Sequence, residues 1–129
     1  MKIGHKAALP GSLRTALEGV FGEPVSHVRI TEYSLYARMH PYTIATTRRR
    51  RIYLRDCAAD FFDDPWLLLH EYYHVLKQWE RRDLTIARYC LEWLRRGYYN
   101  NRFEVEARDF ADRHLPALRA AHPSNDSRR

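Results

Sequence analysis

The residue types with the most chemistry stand in one short run, His70-Glu71-Tyr72-Tyr73-His74, an HExxH pattern. Two histidines four residues apart on a helix share a face, so both imidazoles can reach one metal ion. Glu71 stands one residue on from His70, about 100° around the helix. From there its carboxylate reaches a water on the metal without being a ligand, and it can take that water's proton to make a nucleophile. The chain has seven His and eight Glu, a content that predicts roughly 0.02 such patterns by chance. Leu68, Leu69, Val75 and Leu76 flank the run, and a dry wall of this kind tunes a bound water. Two imidazoles and a carboxylate on an apolar helix are costly to desolvate without a cation. The expected cofactor is Zn2+, with His70 and His74 as ligands and Glu71 as the catalytic base.

A catalytic zinc needs a third protein ligand. The candidates are His40, Glu92, Glu104, Glu106, Asp109 and His114. Gln78, Trp79 and Glu80 supply no histidine at the HExxHxxGxxH spacing, which excludes the metzincin arrangement. Glu104 and Glu106 are two apart and point in different directions on a helix, so only one can face the metal. A tyrosine or histidine donor is expected for an oxyanion; nine tyrosines leave that role unassigned.

Two segments, Leu69-His70-Glu71-Tyr72-Tyr73-His74-Val75-Leu76 and Asn101-Arg102-Phe103-Glu104-Val105-Glu106-Ala107, carry a family likeness. Through them, and over about residues 25 to 121, the chain resembles gluzincin-type zinc metallopeptidases in their minimal single-domain, minigluzincin form. It is also similar to small bacterial HExxH families of unknown function. In the gluzincin pattern the glutamate ligand lies on a later helix as N-x-x-E-x-x-A-D. That register implies Glu104 as the third ligand, beside His70 and His74. Arg108 stands where the family has Asp, with Asp109 as the nearby substitute. The resemblance further implies a zincin-like fold and hydrolysis of peptide bonds. It also implies an edge strand, near Tyr42 to Thr47, that pairs with an extended peptide or protein substrate.

The elements that would position these residues follow from periodicity. Ser12 to Val20 reads as a helix, with Leu13, Ala16, Leu17 and Val20 on one face. His27 to Tyr36, Tyr42 to Thr47 and Arg51 to Leu54 read as strands, with Arg48 to Arg51 as a solvated turn. Asp63-Asp64-Pro65 starts a helix running from Trp66 to Trp79. A second helix spans Leu84 to Arg96, with Ile86, Cys90, Trp93 and Leu94 on one side and Gly97 as its stop. A third spans Arg102 to Ala121, with a break expected at Pro116. Trp66, Trp79, Trp93, Phe103 and Phe110 are expected in the core. The fold class is α+β: a small, twisted, mostly antiparallel sheet on the active-site helix, followed by two further helices.

The 129 residues suit one domain, read as 1–121 with a flexible tail at 122–129. With 45% hydrophobic residues and 17 aromatics, disorder throughout is excluded. No apolar run approaches the ~20 residues of a membrane span. The N-terminus shows no apolar signal region, so the cytoplasm is the expected compartment, with export lacking a cleaved signal left open. Cys57 and Cys90 read as two semi-buried free thiols. The net charge of +6 admits a second function class: a zinc-binding, non-catalytic module whose basic surface binds nucleic acid or an acidic protein. No nucleic-acid motif accompanies that charge.

Overall fold

The computed structural model describes residues 4–38, 45–81 and 84–123. Helix α1, Gly11–Phe21, buries Leu13, Ala16, Leu17 and Phe21, the stripe of an amphipathic helix. Gly22 ends it in left-handed backbone (φ 70°), where its N–H reaches the Glu18 carbonyl. Strands β1, His5–Ala7, and β2, Arg29–Glu32, pair antiparallel. Strands β3, Ala45–Arg48, and β4, Arg51–Leu54, form an antiparallel hairpin, while β2 and β4 run parallel. Strand order β1-β2-β4-β3 leaves β3 as an open edge. In β4, Ile52 and Leu54 face the core while Arg51 is exposed, the period-two signature of a half-buried strand.

Two short helices, α2 (Leu35–Arg38) and α3 (Ala58–Phe62), follow β2 and β4. Helix α4, Pro65–Tyr73, runs straight into a π-helical turn, His74–Trp79. Helices α5, Ile86–Arg96, and α6, Arg102–Ala121, complete the described chain. Helix α4 packs most extensively against α6 and also touches α3 and β3. The core gathers Leu13, Leu17, Phe21, Ile30, Ile52, Leu54, Phe61, Leu68, Leu69, Tyr72, Val75 and Leu76 between α1, the sheet and α4. No helix among the described residues is long and apolar enough to cross a membrane.

The class is α+β, as periodicity implies, with a mixed sheet in which two of three pairings are antiparallel. Several details differ from expectation. The strand expected over His27 to Tyr36 is shorter, β2 ending at Glu32 and α2 following from Leu35. Strand β1 and helices α2 and α3 hold only three to five residues each, too few for a period to show. The single helix expected over Trp66 to Trp79 widens at His74. Helix α6 continues through Pro116 without a break. Pro116 and Asp112 lie on its exposed side, where water can take the carbonyl that proline leaves free. Trp93 is 52% exposed and no residue of α5 is buried, because this helix lies over a cleft rather than on the core. Phe103 is buried as expected, while Trp66, Trp79 and Phe110 are half-buried. Cys57 is half-buried and Cys90 exposed, both free. The expected tail begins with His122, whose Nε2 lies 3.2 Å from Ser12 Oγ; residues 124–129 lie outside the described residues, as do 39–44. Glu106 and Asp109 lie on α6, and Arg49 and Arg50 form the exposed hairpin turn between Arg48 and Arg51.

The start of α4 sets where the histidine pair sits. Asp64 caps it, its Oδ1 accepting from Leu67 N at 3.0 Å, and Pro65 occupies the first helical position. Asp64→Ala leaves that N–H unpaired and is expected to lower stability by about 1 kcal/mol in chemical denaturation. Asp64→Asn, which keeps the acceptor, is expected to retain most of it.

Candidate metal centre

His70 and His74 project from α4 and the first residue of the π-helical turn, one turn apart, with ring centroids 4.8 Å apart. Glu104 comes from the first turn of α6, where the helix dipole favours a carboxylate. A single atom of it, Oε1, lies 3.0 Å from His70 Nε2 and 3.2 Å from His74 Nε2. All three side chains are buried. Glu71 is buried beside them, and the ligand atoms of His70, Glu71 and His74 lie within 4.8 Å of one another. This group can hold a metal ion. Of the two carboxylates, Glu104 is in direct contact with both imidazoles, which makes it the closer third donor.

Three polar residues hold the donors in place. Gln78 is 1% exposed, and its Nε2 donates to the Phe103 carbonyl (3.0 Å) and to Glu106 Oε1 (3.1 Å). Those two acceptors orient the amide so that its Oε1 accepts from His74 Nδ1 at 2.6 Å. With the proton on Nδ1, neutral His74 presents the Nε2 lone pair to the site. The Tyr89 hydroxyl donates to Glu104 Oε2 at 2.8 Å and leaves Oε1 for the imidazoles. Asn101, fully buried, caps α6 by accepting from Phe103 N at 2.9 Å and donates to the Tyr89 carbonyl at 3.2 Å. It thereby ties α5 to the turn that carries Glu104. His70 is held by stacking on Trp66, whose Nε1 donates to Asp112 of α6 at 2.8 Å. His70 Nδ1 is buried with no hydrogen-bond partner among the described residues.

The electrostatics follow from that geometry. Neutral His74 would set a lone pair against Glu104 Oε1, a contact that only a proton or a cation relieves. Burial disfavours charge on His74, but the Glu104 charge and hydrogen bond, with Glu71 and Gln78, outweigh it and push the imidazole up to about 9. Burial outweighs the Glu104 hydrogen bond at His70 and lowers it. Burial would raise Glu104, yet the two imidazoles hold its carboxyl well below the usual range. Burial raises Glu71 to about 8, helped by the Glu104 charge and opposed by His74. Burial, then the Glu104 charge and hydrogen bond, push the Tyr89 phenol far up, so it stays a donor.

A cation fits this donor set. Ligand atoms about 2.0–2.1 Å from a tetrahedral zinc lie about 3.3 Å apart, close to the spacings found between Oε1 and the two Nε2 atoms. The site opens into a cleft of about 280 Å3 that also meets β3, the π-helical turn and α5. Ala45, Thr47 and Arg48 of the edge strand line it, as do Trp79, Leu84, Ile86, Tyr89, Cys90 and Tyr98.

Of the sequence candidates, His70, Glu71, His74 and Glu104 come together. Glu106 instead supports Gln78. Asp109 pairs with Arg113 on the exposed side of α6, so it does not stand in for the Asp of the gluzincin pattern. Arg108 stacks on Tyr99 and donates to its carbonyl. Glu92 accepts from Arg102 N, and the His114 ring packs on Phe110. His40 lies outside the described residues. Sequence reasoning missed Gln78, Tyr89 and the capping role of Asn101. The signal for Gln78 was a polar residue one turn beyond His74 among apolar neighbours.

Gln78→Leu is expected to weaken zinc binding roughly ten- to a hundredfold, read by competition with a chelator. Because the His74 proton must leave before a cation binds, apparent affinity is expected to rise with pH and level off above about 9. Chelator titrations at a series of pH values check the sign; a flat profile contradicts it.

No curated protein and no solved structure matches the chain. The model of the family described as the eCIS core domain matches residues 8–82. The match takes in β2 to β4, α1 to α4 and the whole HExxH run, and stops before α5 and Glu104. It spans more than half of the 129 residues, and the chain belongs to the eCIS core domain family.

Proposed function

We propose that this protein is a zinc-dependent metallopeptidase of gluzincin type on a zincin-like fold, with the cytoplasm as its expected compartment. The observation that carries the reading is the position of Glu104 Oε1, in contact with both Nε2 atoms of the HExxH pair from a different helix. His70, His74 and Glu104 would hold the ion. Bound zinc supplies Lewis-acid activation of a water and of the scissile carbonyl.

The chain's own residues supply the rest. Glu71 lines the cleft beside the two imidazoles, where a general base can reach a water held at the site. Its carboxylate takes a proton from the attacking water and delivers it to the leaving amine. Tyr98 also lines the cleft, and its hydroxyl is the candidate donor to a developing oxyanion. Strand β3 offers the open backbone groups to which an extended peptide can add as a further strand. Trp79 Nε1 donates to Thr47 Oγ1 at 3.3 Å and holds that strand against the π-helical turn.

A second reading rests on a separate observation. Arg29, Arg49, Arg50 and Arg51 line a shallow basin with Ser26 and His27 at the hairpin end. That surface suits a non-catalytic zinc module that recognises nucleic acid or an acidic protein. Steeply salt-dependent binding without any cleavage would favour it.

Glu71→Gln is expected to keep about one zinc per chain and lose peptide cleavage by at least a hundredfold. Cleavage by this variant at the parent rate contradicts the mechanism. His74→Ala and Glu104→Ala are expected to lose zinc, and Glu106→Ala to keep it, in metal analysis of the purified proteins. Zinc retained in Glu104→Ala but lost in Glu106→Ala would move the third ligand by two residues.

A further inference from the structure

The peptidase reading gives Arg48, a cation of the cleft, no role. Arg48 ends the edge strand and lines the same cleft as His70, Glu71, His74 and Glu104. It is the one Lys or Arg among the described lining residues. Its guanidinium lies 5.1 Å from the centroid of the Tyr36 ring and 5.5 Å from that of Trp79. Nη1 donates to the Thr47 carbonyl at 2.9 Å, and Nη2 to the Tyr36 hydroxyl. Among the described residues no carboxylate lies within ion-pair distance of it.

This is an arginine held in place before any ligand arrives. Two aromatic faces and two neutral acceptors orient the guanidinium, and neither cancels its charge. Its planar fork has more donors than these contacts use, and the partner that best matches them is a carboxylate. The neighbouring backbone says where such a carboxylate would come from. Arg48 pairs with Arg51 across a two-residue turn, so the Thr47 carbonyl points to the open side of β3. The Arg48 side chain reaches that open carbonyl. A peptide adding to β3 would therefore run past the guanidinium.

Resting on the peptidase reading, we propose that Arg48 is the specificity-determining residue of the cleft and selects extended peptides bearing a carboxylate where they run past the end of β3. The carboxylate comes from an Asp or Glu side chain or from the free C-terminus of the peptide. Stacking has already restricted the arginine's rotamers, so pairing orders little that was mobile. A simple guard of the strand edge would explain the Thr47 contact but would confer no preference between acid and amide.

The test measures binding to the full-length, zinc-loaded Glu71→Gln protein, so that no peptide is turned over. The probes are fluorescent nonapeptides with amidated C-termini, in which each position in turn carries Asp, Asn, Glu, Gln or Lys. A parallel arm uses the neutral peptide with a free C-terminus. At one position, or in the free-terminus arm, the acid is expected to bind about tenfold more tightly than its amide. The gain should vanish on adding Arg48→Gln and turn into a preference for Lys on adding Arg48→Glu. Which arm shows the Arg48-dependent gain identifies the source of the carboxylate. Equal binding of acid and amide in both arms overturns the proposal; so does an acid preference that survives Arg48→Gln, or no binding of any probe. Circular dichroism and zinc content show that the Arg48 variants keep their fold and site. Wild-type cleavage separates the two ideas. Cleavage without acid preference removes the role of Arg48 and keeps the peptidase, whereas Arg48-dependent acid binding without cleavage does the reverse.

Discussion

One carboxylate oxygen, Glu104 Oε1, sits against two imidazole nitrogens in a buried site, and the rest of the centre is arranged around that contact. Three donors facing inward at hydrogen-bond distance are unstable as a set of lone pairs. They need a positive charge between them. Without a metal, a proton on His74 supplies it, which is why that imidazole holds its proton so far above the usual range. A divalent cation supplies it to all three donors at once. The same neighbours that raise His74 therefore favour metal, and proton and cation compete for one place.

The fold serves this contact by bringing two helices distant in sequence into register. Helix α4 is fixed at its start by Asp64 and along its length by Leu68, Leu69 and Tyr72 in the core. The π-helical turn beginning at His74 carries Gln78, which bridges from the imidazole to the Phe103 carbonyl and to Glu106 on α6. Such wide turns recur at functional sites, and here the turn links both helices through one buried amide. Asn101 and Tyr89 close the arrangement from the α5 side. The edge strand meets the same cleft through Trp79 and Thr47, so the positions of a peptide and of the metal would be set by one rigid unit.

What was legible in the sequence was what spacing along one helix determines. The histidine pair and Glu71 follow from i, i+1, i+4 geometry, and β4 from strict alternation at Ile52 and Leu54. Glu104 came from the register of a resembling family rather than from geometry, since spacing alone left Glu106 open. Tyr89 was not legible, because its hydroxyl meets Glu104 only through the packing of α5 over α6. Helix α5 shows the limit of periodicity. It is strongly amphipathic, yet Trp93 and Leu94 are exposed, since a period says which residues share a side and not what that side meets. The parallel pairing of β2 with β4 was hidden for a similar reason: it depends on where α2 and the hairpin carry the chain. The family match ends before α6, so within this chain the proposal of Glu104 as third donor rests on its contact with both imidazoles.

On the proposed reading, one cation is shared by donors from α4, the π-helical turn and α6. X-ray absorption spectroscopy at the zinc edge, on the purified full-length protein after one equivalent of zinc, tests it most directly. A four-coordinate ion with two imidazole nitrogens and oxygen neighbours at about 2.0–2.1 Å is expected, with loss of imidazole scattering in His70→Ala. A six-coordinate shell of oxygens alone, or imidazole scattering unchanged in that variant, would contradict it.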